Sequence, residues 1–90
     1  MDSQQFSLYL QSVYTHLAQH ELMEAQVILD QMIASFPDEI TWEVYHLRGV
    51  SKWLTDDLYG AERDFLRSLE CSESQKFVHN NLGNVLYAQG

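Results

Sequence analysis

The sequence predicts an all-α chain of five helices, folded as a stack of right-handed helical hairpins. Three observations lead there. Glycine and proline are scarce, four and one in ninety residues, so helices can run uninterrupted. Apolar residues recur at three- and four-residue steps, the period of an amphipathic helix. One spacing also occurs twice: Ala25, Leu29, Met32 and Pro37 are answered by Ala61, Phe65, Ser68 and, less closely, Glu73. A third start follows at Asn80 to Asn84 with Tyr87. A pattern repeated at a fixed offset describes stacked similar units rather than one closed core.

The first helix carries Phe6, Tyr9, Leu10, Val13, Tyr14 and Leu17 on one stripe, with Asp2 and Gln5 as a capping pair at its start. After a short join near Gln19-His20, the second carries Leu22, Ala25, Ile28, Leu29, Met32, Ile33 and Phe36, and stops at Pro37. So short a join makes these two antiparallel neighbours. Asp38 is the expected N-cap of the third helix, which carries Trp42, Tyr45, Leu47, Val50, Trp53 and Leu54. Thr55-Asp56-Asp57 reads as a tight turn, with Asp57 capping a fourth helix that runs through Leu58, Ala61, Phe65, Leu66 and Leu69 toward Cys71. Ser72 and Gln75 form a capping-box pair for the fifth, with Phe77, Val78, Leu82, Val85, Leu86 and Tyr87 as its apolar positions and Gly90 as a C-cap.

Composition excludes several classes of function. A formal charge of −8 disfavours nucleic acid and anionic membrane surfaces, both of which select lysine and arginine clusters. No window approaches the roughly 20 apolar residues of a membrane span, and the amino end lacks the basic and apolar regions of a secretory signal. A single cysteine, Cys71, rules out an internal disulfide framework. These features predict a cytoplasmic protein. Cys71 occupies an apolar slot and reads as a small core residue, since Glu70 and Glu73 beside it disfavour a thiolate. His16 and His20 stand four apart with Glu24 as the nearest third donor, too few ligands for a metal site. No phosphate-binding glycine loop, no nucleophile–histidine–acid set and no paired acids on one face emerge. The sequence therefore predicts neither an enzyme nor a cofactor.

The repeated pattern resembles the tetratricopeptide repeat family, whose period is about 34 residues. The likeness spans nearly the whole chain: one repeat over 6–39, a second over 42–75, and the first helix of a third over 76–90. In the second repeat Gly49, Ala61, Phe65, Ser68 and Leu69 stand at the family's small, small, aromatic, small and leucine positions, with Leu58 where an aromatic is usual. The first repeat has Val13 in place of the small glycine and Ser12 in place of leucine, and two extra residues near Ile40-Thr41 separate the units. Leu82, Gly83 and Tyr87 fit the third, which has no second helix.

The resemblance implies that the first helices of successive repeats line a concave groove for a partner polypeptide. It places Leu10, Tyr14 and Leu17, then Glu43, His46, Val50 and Trp53, then Phe77, Asn80, Asn84 and Tyr87 along that groove. The surface is aromatic and mostly uncharged. Several of these residues could instead pack between neighbouring first helices. The family's carboxylate clamp needs cations where this chain has Leu10, His46 and Phe77, so that use is not expected, although Asn80, Asn81 and Asn84 are present. His79 reads as a seam residue. The expected function is protein–protein interaction with a partner segment whose flanks are basic. The alternatives are a small co-chaperone or secretion-type chaperone holding an amphipathic client, and the front cap of a longer solenoid. The unpaired last helix also predicts homodimerisation.

Overall fold

The computed structural model describes residues 3–90 and is all-helical over that span: α1 (Ser3–Ala18), α2 (Leu22–Ser35), α3 (Trp42–Leu54), α4 (Leu58–Cys71) and α5 (Lys76–Gln89). Each helix packs on the next in chain order, and α3 also touches α5. The stack is elongated, 42 × 28 × 19 Å. The expected Asp2–Gln5 cap lies outside the described residues.

Both hairpins turn in the same way. His20 and Asp56 adopt left-handed backbone, at φ 61° and 68°, a conformation that His and Asp tolerate better than most side chains. The following N–H reaches back five residues in each case, Glu21 to the His16 carbonyl and Asp57 to the Lys52 carbonyl, both at 2.8 Å. The N–H groups of His20 and Asp56 bond the carbonyls of Leu17 and Trp53 at 3.0 Å, completing the paired pattern that closes a helix at a left-handed residue. Asp56 lies as far along the chain from His20 as Ala61 does from Ala25. The repeat therefore extends to the backbone of its turns.

The connections between units differ. Residues 36–41 link α2 to α3, whereas 72–75 link α4 to α5, which locates the two additional residues at the inter-unit loop. Phe36 fills that loop, 2 % exposed, with the rings of Phe6 and Tyr9 edge-on to it at 5.7 Å. Seating Phe36 has displaced the expected cap. Asp38 lies in a turn closed by the Glu39 N–H on the Phe36 carbonyl, and α3 begins after Thr41, whose side chain makes no capping bond. Burying a phenylalanine is worth about 2–3 kcal/mol and a cap about 1, so packing prevails. Asp57 caps as expected, accepting the Gly60 N–H at 3.0 Å. The Ser72–Gln75 pair bonds side chain to side chain at 3.1 Å, and the N-cap, Gln75, makes no side-chain capping bond.

Two cores form, as stacked units require. Val13, Ala25, Leu29, Met32 and Phe36 close the first hairpin against Val44 and Leu47 of α3. Ala61 and Phe65 of α4 meet Val78 and Val85 of α5 in the second, flanked by Trp42, Val50 and Trp53. Helix α3 serves both, each through a different stripe. Within the second hairpin a Cβ on Gly49 would stand 2.6 Å from the Phe65 ring, so the large residue on α4 depends on the missing side chain on α3. The equivalent pair in the first hairpin is Val13 and Leu29, both fully buried, with the bulk divided between the helices. Ser68, also fully buried, donates to the Trp42 carbonyl at 2.7 Å and ties α4 to the start of α3.

Cys71 is exposed, contrary to the core role expected of it. The buried stripe through Ala61, Phe65 and Ser68 next returns at residue 72, so Cys71 turns aside. Leu66 is half exposed for the same reason.

Candidate functional site

The odd-numbered helices carry the residues expected to line a groove. Leu10 and Leu17 of α1 are partly buried and pack against the first core. Val50 and Trp53 of α3 pack likewise against the second. These four are primarily structural, each keeping one edge in solvent. Tyr14, Phe77 and Tyr87 are open, at 45 %, 74 % and 89 % exposure, and Asn80 and Asn84 are exposed beside them. On α5 the stripe Phe77, Asn80, Asn84, Tyr87 lies well round the helix from the buried Val78 and Val85.

Two polar latches join these helices edge to edge. The Tyr14 hydroxyl donates to a Glu43 carboxylate oxygen, linking α1 to α3. Partial burial, this bond and the charge of Glu43 push the Tyr14 phenol up to about 12. On the next step of the stack, His46 Nε2 lies 3.0 Å from Asn81 Nδ2, linking α3 to α5 with the amide donating to the unprotonated ring nitrogen. The His46 ring also packs near Trp42 and Phe65, with centroids 5.7 and 5.9 Å away. It is thus half-buried between elements and only one edge borders the groove. Asn81 turns inward to His46, while its neighbour Asn80 stays exposed.

Burial lowers the pKa of His46 below its usual 6.5, opposed by the nearby charge of Glu43. The folded chain is then harder to protonate at this ring than the unfolded chain, so protons favour unfolding as pH falls through the unfolded value. The contribution is complete above about pH 6.5 and is lost progressively below it, levelling off only under the folded pKa. The urea midpoint is expected to drop between about pH 7.5 and pH 5.5 by more in the wild-type protein than in His46→Gln. Equal drops in the two proteins would remove His46 as the cause.

The other histidines are engaged differently. His16 Nδ1 sits 2.8 Å from Glu21 Oε1, and His20 occupies the left-handed turn position. His79, expected in a seam, is exposed, its Nε2 donating to the Glu73 carbonyl at 2.7 Å. It directly follows the buried Val78, about 100° further round α5, and so stands off the buried stripe.

One concavity lies elsewhere and was not anticipated from the sequence. Tyr45, Arg48 and Lys52 of α3 face Arg63, Asp64 and Arg67 of α4 across a cleft of about 310 Å³. Asp64 is 2 % exposed, and its two oxygens accept from Arg48 Nε and Nη2 at 2.9 and 2.8 Å and from Lys52 Nζ at 3.2 Å. Arg48 Nη1 reaches Asp30 at 2.9 Å. Burial works against the Arg48 cation, but the bonds and charges of Asp64 and Asp30 raise its pKa above the ordinary value. The sequence does hold a signal for this cluster. Of five lysines and arginines, four fall at 48, 52, 63 and 67, two i,i+4 pairs on the two helices of one hairpin. No known family's model, no curated protein and no solved structure matches this chain.

Proposed function

We propose that this chain is a tetratricopeptide-type interaction module that binds a segment of a partner polypeptide along α1, α3 and α5. The observation that supports the reading is the row of open aromatic and amide side chains — Tyr14, Phe77, Asn80, Asn84 and Tyr87 — on helices held side by side by the Tyr14–Glu43 and His46–Asn81 latches. Exposed aromatics on a rigid frame are the usual anchors of a binding hot spot, because they bury much area while losing few rotamers. The amides offer bonds to an extended backbone without demanding a charge. The acidic balance of the chain, −8 overall, favours basic flanks on the partner. The role is recognition, with no catalytic step.

Tyr14, Phe77 and Tyr87 are open enough to remove without unfolding the chain. A Tyr14→Ala/Phe77→Ala/Tyr87→Ala protein is expected to keep its circular dichroism, with a urea midpoint lowered only by the loss of the Tyr14–Glu43 bond (about 1 kcal/mol), while partner affinity falls by about a hundredfold or more. Undiminished binding by that protein would sink the assignment.

A second reading has its own observation. Gly83 stands thirty-four positions after Gly49, yet a Cβ there would meet nothing within 4 Å, whereas at Gly49 it would meet Phe65. Together with half-exposed Leu86, that open position suits α5 to receive a further helix. Such a helix would come from a longer solenoid or from a second copy of the chain, and the latter is the homodimer that the unpaired last helix suggests.

A further inference from the structure

The basic cleft between α3 and α4 belongs to neither latch nor aromatic row. Its α3 residues Tyr45, Arg48 and Lys52 occupy a different stripe from His46, Val50 and Trp53. In a chain with thirteen carboxylates and five lysines and arginines, four of those five cations line this one concavity. Arg48 and Lys52 are committed to Asp64, and Arg48 also to Asp30. Arg63 and Arg67 are not so committed. Among the described residues neither forms an ion pair, although both are exposed and acids are abundant. Arg67 instead rests against the Tyr45 ring at 6.0 Å, and Arg48 approaches the same ring at 5.8 Å.

The charges settle what the cleft suits. Four cations less the carboxylates of Asp64 and Asp30 leave a residual of +2, carried by two guanidinium groups one helical turn apart. Like charges at that spacing repel unless something neutralises them. A polyanion is the wrong partner, since the acidic remainder of the chain would repel nucleic acid or a charged membrane. A small, locally dianionic group is the right one. Planar guanidinium forks match the oxygens of a phosphate ester two at a time, and the cleft volume suffices for the ester and its first attached carbons.

We infer that this cleft binds a phosphomonoester borne on a side chain of a partner polypeptide, the polypeptide source resting on the function proposed above. Arg63 and Arg67 grip the phosphoryl oxygens, and Tyr45, held by Arg48 and Arg67, forms one wall. The ion pairs with Asp64 keep Arg48 and Lys52 in place. The site is separate from the aromatic row, so losing either leaves the other intact.

Titration of isotope-labelled protein with inorganic phosphate at constant ionic strength, followed through the arginine Nε–H resonances, tests the site. Saturable shifts at Arg63 and Arg67 are expected, weakened at least about tenfold in Arg63→Gln/Arg67→Gln. Both side chains are exposed, and an unchanged urea midpoint will verify that the variant is folded. A peptide with one phosphoserine among neutral residues is expected to bind at least about tenfold more tightly than inorganic phosphate, and than the same peptide with unmodified serine. No saturable shift, or one insensitive to the double variant, overturns the site. Equal affinity for phosphopeptide and inorganic phosphate overturns the polypeptide source. The triple alanine variant of the aromatic row should bind phosphate as the wild type does, which separates the two surfaces.

Discussion

Gly49→Val is expected to destabilise the protein by about 3 kcal/mol, and Phe65→Leu in the same chain to recover most of that loss. The added Cβ would lie 2.6 and 2.8 Å from two carbons of the Phe65 ring, far inside van der Waals contact, and both residues are buried in the seam of the second hairpin. The ring has no vacancy to enter, since Ala61, Val78 and Val85 close the same core. Changing both residues reproduces the Val13/Leu29 combination of the first hairpin, where the volume is divided between the two helices. A domain of this length has only about 5–13 kcal/mol of stability, so the single variant should show a markedly lower urea midpoint. A Gly49→Val/Phe65→Leu protein no more stable than Gly49→Val would mean that the two hairpins are not equivalent at this seam.

Asp64→Asn is expected to cost about 3–5 kcal/mol, comparable to the loss of a large core side chain. The Asp64 side chain is only 3 % exposed and neutralises two partly buried cations at once. An amide would leave Lys52 without an anion and Arg48 with only the exposed Asp30. Asp30 provides the contrast. It binds the same Arg48 but is 62 % exposed, so solvent replaces it at little cost and Asp30→Asn should cost less than about 1 kcal/mol. Urea unfolding of the two variants checks the difference, and equal costs would contradict a structural role for the buried pair.

Much of the architecture was legible in the residue pattern. Every helix follows from apolar periodicity, and Pro37 and Asp57 mark boundaries as their chemistry requires. The additional inter-unit residues were placed by counting alone. The caps failed where tertiary packing competed with a local bond. Asp38 was displaced by the burial of Phe36, and Gln75 took the position expected of Ser72. Cys71 and Leu66 failed for a related reason, since a period of 3.6 leaves neighbours of buried positions ambiguous until a partner helix fixes which side is covered.

The candidate binding row was legible only as a stripe. Spacing put Tyr14, Phe77, Asn80, Asn84 and Tyr87 on helix faces, but exposure separates them from Leu10, Leu17, Val50 and Trp53, which lean on the cores. The latches were beyond reach, because Tyr14 with Glu43 and His46 with Asn81 are pairs distant in sequence.

By itself the order of residues determined five helices, their pairing into hairpins and the offset between units, because these rest on periodicity, turn chemistry and loop length, all local to the chain. The tertiary structure alone decided that Asp64 would be buried, that Arg48 and Lys52 would be consumed in holding it, and that Arg63 and Arg67 would be left facing a cleft. Charge has no period. Whether a cation is paired, buried or free depends on which helix lies opposite, and that is known only once the helices have packed.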